Sequence, residues 1–134
     1  MSYINAAVLK SFYSDNSFMV KQDTITEIGS IVTQIDGIIK SKLGLDTPAA
    51  ASSANAVLQN IACRLFIWFA AGKEGITKEM WDYQRRKTMY ESALNDLNKI
   101  QNGAIKIYDT AGVITIPNQT TAMFESTKRI TGIL

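Results

Sequence analysis

The chain has 134 residues, 46% of them hydrophobic and 19% charged, with a formal net charge of +2. These values suit a single globular domain with one modest core. They exclude a disordered chain and give no case, by charge alone, for a nucleic-acid binder. Histidine is absent and cysteine occurs once, which excludes histidine-based zinc sites, histidine triads and any disulfide within the chain.

The opening stretch MSYINAAVLKSFYSD lacks the long apolar core of a signal peptide. A first helix is predicted over about residues 4–13, with Ala7, Val8 and Phe12 at helical spacing, and the polar turn SDNS ends it. The second helix opens on Thr24-Ile25-Thr26-Glu27, a capping box in which each side chain satisfies a backbone donor of the first turn. Ile25, Ile28, Ile31, Val32, Ile35, Ile38, Ile39 and Leu43 then recur at three and four, giving one apolar face, and Gly44 is the natural stop. Gly29 and Gly37 sit inside this helix at a cost of about 1 kcal/mol each against alanine. The space they leave suits close approach of another helix, including one from a neighbouring subunit.

The connector LDTPAAASSAN contains Pro48, and a third helix is predicted over about residues 53–71, capped by Ser52 or Ser53. Val57, Leu58, Ile61, Ala62, Leu65, Phe66 and Phe69 form its stripe, while Trp68 falls off the stripe's centre and is free for a different partner. The most apolar run, IACRLFIWFAA, is interrupted by Arg64 and is shorter than the roughly 20 apolar residues of a membrane span. It reads as a core helix of a soluble, intracellular protein. Cys63 within it reads as a small buried hydrophobe; the competing reading, a nucleophile, has no histidine to activate it.

A fourth helix is predicted from a cap at Thr77 to Gly103. Ile76 and Trp81 form a hydrophobic staple, and Tyr83, Tyr90, Ala93, Leu94, Leu97 and Ile100 continue the apolar face. The run QRRK is placed on the solvent side, either as a solvated basic face or as a contact for an acidic partner or phosphate backbone. Beyond Gly103 the segments AIKIY and VITI flank DTAG, which predicts a β-hairpin with Gly112 in its turn. An isolated hairpin is only marginally stable. Ile105, Ile107, Tyr108, Val113, Ile114 and Ile116 are therefore expected to contact the helices or another chain. Pro117 closes the strand.

The expected fold is mainly α: a compact bundle of about four helices over residues 1–103, a hairpin over 104–117, and an extended C-terminal arm over 118–134. In the arm, Phe124, Ile130, Ile133 and Leu134 are the expected apolar anchors, with Lys128 and Arg129 setting orientation.

Nothing in the sequence assembles a reaction centre, and no cofactor or metal is expected. AAGKEG lacks the first glycine and the preceding strand of a phosphate-binding loop, and it lies at a helix end where the dipole repels phosphate. Asp36 has Lys40 at i+4 and reads as a surface ion pair. Phe66, Trp68, Phe69 and Trp81 at helical spacing read as core packing ahead of a ligand box.

The order of parts carries a resemblance. A short helix precedes the amphipathic helix carrying TQIDGIIKSKLGL; the helix ANAVLQNIACRLFIWFAAGK and the basic, tyrosine-bearing helix WDYQRRKTMYESALNDLNKIQNG follow. The chain resembles, over nearly its whole length, the head–tail connector proteins of tailed bacteriophages, in particular a Mu-like prophage group. Ile35-Asp36-Gly37 corresponds to that group's IDGYL-type turn, LQNIACRLFIWFAA to its L-x-x-x-A-x-x-x-A/F helix, and Phe124, Ser126, Arg129 and Gly132 to its terminal motif. The chain departs from the pattern at Ile133, where an aromatic is expected, and in its longer hairpin.

The resemblance implies a non-enzymatic virion protein of the phage neck, assembled in the host cytoplasm. It implies a ring, usually of twelve copies, beneath the portal, which helps seal the DNA channel and docks the tail. The implied partners are the portal protein, further copies of the chain, and a tail-side neck protein, either a stopper or a tail terminator. DNA is implied only as passing channel contents, with no membrane. Trp68, Arg85 and Arg86 are the expected subunit or partner face. The alternatives are a small helical DNA-binding or regulatory protein using QRRK with Lys78 and Lys99, or another neck component such as a tail terminator.

Overall fold

The structure, a computed structural model, describes residues 2–18, 28–72 and 74–119. The chain is mainly helical and ends in a small antiparallel hairpin. Helix α1 spans Ala6–Asp15, α2 Ile28–Leu43, α3 Ala56–Phe69 and α4 Trp81–Gln101, with a short 3-10 turn at Ala51–Ser53 before α3. Strands β1 (Tyr108–Asp109) and β2 (Gly112–Val113) follow.

Helix α1 starts where Asn5 accepts the Val8 N–H at 2.9 Å. It buries Leu9, Phe12 and Tyr13 rather than the expected Ala7, which is exposed. In α2 the period predicted from sequence is realised: Ile31, Val32, Ile35, Ile39 and Leu43 are buried and Ile38 packs at the edge. The capping box at residues 24–27 lies outside the described residues. Gly44 ends α2 with φ +77°, a left-handed conformation that glycine adopts without strain.

Two helix starts differ from expectation. The cap of α3 is Asn55, not Ser52 or Ser53; its side chain accepts from the Val57 and Leu58 N–H groups, while the two serines belong to the preceding 3-10 turn. Helix α4 begins at Trp81, because the Thr77 carbonyl is used in a separate turn to Met80 N–H. Trp81 therefore stands at the first helical position, 69% exposed, and the staple with Ile76 is not formed.

Helices α3 and α4 run antiparallel. Arg64 reaches Asp96 at 2.8 Å and Ser92 at 3.0 Å, while Trp68 packs on Tyr83 in the first turn of α4. Helix α2 packs against both, and the three stripes close one core through Ile35, Ile39, Ile61, Leu65, Ala93 and Leu97. Burying these side chains at about 25 cal/mol per Å² is what holds the bundle together. Tyr3 and Ile4 cap one side of it.

The hairpin is shorter than predicted. Only Tyr108 pairs with Val113 and Asp109 with Gly112, so Gly112 lies in the second strand and Thr110-Ala111 make the turn. Asp109 accepts the Ala111 N–H at 2.8 Å. Ile107 and Ile116 are buried in the chain's own core, with Ile105 and Ile114 packed against it. Inward faces thus go to the helices, and Tyr108 and Val113 point out at 59% and 53% exposure.

Candidate functional site

The basic run of α4 is not a solvent face. Arg86 is 1% exposed. Its guanidinium donates to Glu74 Oε1 at 2.8 Å and to the Ile67 carbonyl at 2.7 Å, near the end of α3. Tyr13 closes the network by donating its hydroxyl to Glu74 Oε2 at 2.6 Å. Burial, together with that bond, pushes the Tyr13 phenol well above its ordinary range. A lone charge in this interior would be costly, and the pairing of Arg86 with Glu74 is what makes burial tolerable.

Arg85 is also engaged within the chain. It donates to the Asn16 carbonyl at 2.6 Å and lies 4.3 Å from the centre of the Phe18 ring and 5.0 Å from that of Trp81. Together the two arginines clamp Phe18 and tie the end of α1 to the start of α4. The expected partner face of Trp68, Arg85 and Arg86 is therefore corrected: Arg86 is interior and Arg85 is committed to α1. Trp68 is half-buried, stacked on Tyr90 at 5.5 Å and edge-on to Tyr83 at 5.2 Å, which completes an aromatic ladder between α3 and α4.

Asp36 does not pair with Lys40. It accepts from the Ser2 hydroxyl at 3.2 Å and the Tyr3 N–H at 3.4 Å, fixing the N-terminal segment, while Lys40 meets Asp46 at 3.7 Å. Burial raises the Asp36 pKa, and the two donors partly oppose it. Cys63 is 2% exposed, and burial pushes its thiol up to about 12. A thiol held in its protonated form is a packing element.

Among the described residues, the large apolar side chains that are exposed lie at two ends. At one end Met80 and Trp81 are 45% and 69% exposed, and beside them Gln84, Arg85, Thr88 and Met89 line a shallow pocket of about 320 Å³. At the other end Val57, Tyr108 and Val113 are 43%, 59% and 53% exposed. A groove of about 730 Å³ runs here between the hairpin, the start of α3 and the 45–48 connector. Asn55 holds the two edges of this groove together, capping α3 and donating to the Tyr108 carbonyl at 2.9 Å. Because α3 and α4 are antiparallel, the ends are separated by about the length of α3, roughly 20 Å at 1.5 Å per residue.

Sequence reasoning missed the Glu74–Arg86 pair, although a signal existed. Arg86 lies three residues after Tyr83, four before Tyr90 and seven before Ala93, on the stripe that faces α3. The arm residues Phe124, Lys128, Arg129, Ile130, Ile133 and Leu134 lie outside the described residues. Among the described residues no three cysteine or acidic side chains gather as a metal site, and no helix is long and apolar enough to cross a membrane. No protein-family model, curated protein or solved structure matches this chain.

Proposed function

We propose that this chain is a non-enzymatic assembly protein, a head–tail connector of a tailed bacteriophage that forms a ring beneath the portal and docks the tail. The class comes from the sequence resemblance. The observation that carries the assembly reading is the pair of exposed apolar surfaces at opposite ends: Met80 and Trp81 at one, Val57, Tyr108 and Val113 at the other. A subunit with two different sticky ends associates head to tail, and such a contact closes into a ring when its rotation permits. Tyrosine and tryptophan are the side chains that anchor such contacts most strongly. The two short strands also leave outer edges that can accept a further strand.

The DNA-binding alternative is weakened by the fate of its own residues. Arg86 is enclosed and Arg85 is spent on the Asn16 carbonyl and Phe18, so QRRK cannot form a phosphate-binding row.

Complementation tests the reading. Trp81→Ser and Tyr108→Ser each blunt one end and leave the other intact. Neither variant should form rings with the portal, while an equimolar mixture should give closed pairs joined through the two intact ends. Rings of undiminished yield from both single variants would refute the two-ended reading.

A further inference from the structure

Between α2 and α4 runs a second groove, of about 560 Å³. Gly37, Ile38, Leu94 and Leu97 line its apolar part, Gln34, Ser41 and Asn98 flank them, and Lys42 and Gln101 stand at its mouth, where both helices end. The last described residues are fastened at that mouth. Asn118 donates its N–H to the Leu43 carbonyl at 3.0 Å and its side-chain amide to the Ser41 carbonyl at 3.1 Å. Gln101 bridges the Lys42 and Asn118 carbonyls at 3.0 and 3.2 Å. The chain thus enters residues 120–134 from a fixed point on the rim of this groove.

Gly37 supplies an independent observation. A glycine in a helix interior is unfavourable against alanine. Among the described residues nothing calls for one here, since a Cβ at Gly37 would meet none of their atoms within 4 Å. Gly37 lies in the apolar part of the groove.

We propose that this groove seats the chain's own C-terminal segment, with Ala122, Met123 and Phe124 over Gly37, Ile38, Leu94 and Leu97. The reach fits. The apolar part lies about 8–11 Å from the mouth, counting five residues back from Lys42 and seven back from Gln101 at 1.5 Å per residue. Three to five residues beyond Gln119 span about 10–17 Å when extended. The order of chemistry fits too: Thr120 and Thr121 pass the polar rim, and the first apolar run of the segment arrives at the apolar part. A tether this short holds the segment at a high effective concentration, which favours the same chain over a second copy. The inference does not depend on the connector reading.

Disulfide trapping in the intact chain tests it. Gly37→Cys is combined with Phe124→Cys, and Gly29→Cys with Phe124→Cys serves as the control, because a Cβ at Gly29 likewise meets no atom of the described residues within 4 Å but Gly29 does not line the groove. Native Cys63 is buried and does not compete. In dilute solution with diamide as the oxidant, Gly37→Cys should give an intrachain link, seen as a faster-migrating monomer on a non-reducing gel. The Gly29→Cys control should give at least fivefold less. Interchain products, equal yields from the two positions, or no link from Gly37→Cys would overturn the proposal.

Discussion

Replacing Arg86 by methionine is the sharpest perturbation the core offers. The guanidinium is 1% exposed, pairs with Glu74 at 2.8 Å and donates to the Ile67 carbonyl at 2.7 Å. Methionine keeps the length of the side chain but takes the cation from beside a buried carboxylate and the donor from a carbonyl near the end of α3. Removing one member of a buried ion pair costs about 3–5 kcal/mol, against the 5–15 kcal/mol that holds a typical domain together. Urea unfolding followed by circular dichroism should lose about a fifth or more of the free energy, with the midpoint falling in proportion. The double variant Glu74→Leu with Arg86→Met should recover part of the loss, because an apolar pair of similar volume carries no charge to desolvate. A loss below about 1 kcal/mol for Arg86→Met, or no recovery in the double variant, would show that Arg86 and Glu74 are solvated and not interior.

Other expectations follow from single contacts. Tyr13→Phe removes the 2.6 Å bond to Glu74 and should cost about 1.5–3 kcal/mol by urea unfolding, the range for a bond to a charged group. Asn55→Ala removes the cap of α3 and should cost about 1 kcal/mol. Gly44→Ala should lower stability, since φ is +77° there and the new Cβ would come within 2.9 Å of Asn118; a fall in the thermal midpoint checks this. The Cys63 thiol, held at about 12 against an ordinary 9.0, keeps its proton more tightly in the folded than in the unfolded chain. Its contribution is therefore complete below pH 9 and is lost as pH rises from 9 toward 12. Cys63→Ala should flatten the fall of the urea midpoint across that window.

The helical period carried most of the fold. Ile31, Ile35, Ile39 and Leu43, and again Leu58, Ile61 and Leu65, are buried as their three-and-four spacing requires. Helix starts were less legible because several polar residues compete for the same backbone donors: Asn55 prevailed over Ser52 and Ser53, and Thr77 was used in a turn of its own. The strand formers of the hairpin were legible, but not which of the six would turn inward: Ile107 and Ile116 are buried, and the paired ladder covers only two residues on each side. The largest departure concerned charge. QRRK looked like solvent surface from composition, whereas Arg86 sits on the apolar stripe and its partner, Glu74, comes from a loop whose approach no local pattern encodes. Asp36 shows the same limit, since Ser2 and Tyr3 reach it from more than 30 positions away. The candidate assembly surfaces were visible only in part: Tyr108 and Val113 were named from sequence, while the exposure of Trp81 follows from where α4 begins.

A cryo-EM map of intact virions tests whether the chain is, as proposed, a neck protein assembled through its ends. The expected result is a ring of this chain beneath the portal, with Trp81 of one subunit facing the Tyr108 end of the next. Finding it in the capsid shell or the tail tip, or not in the particle at all, would overturn that proposal.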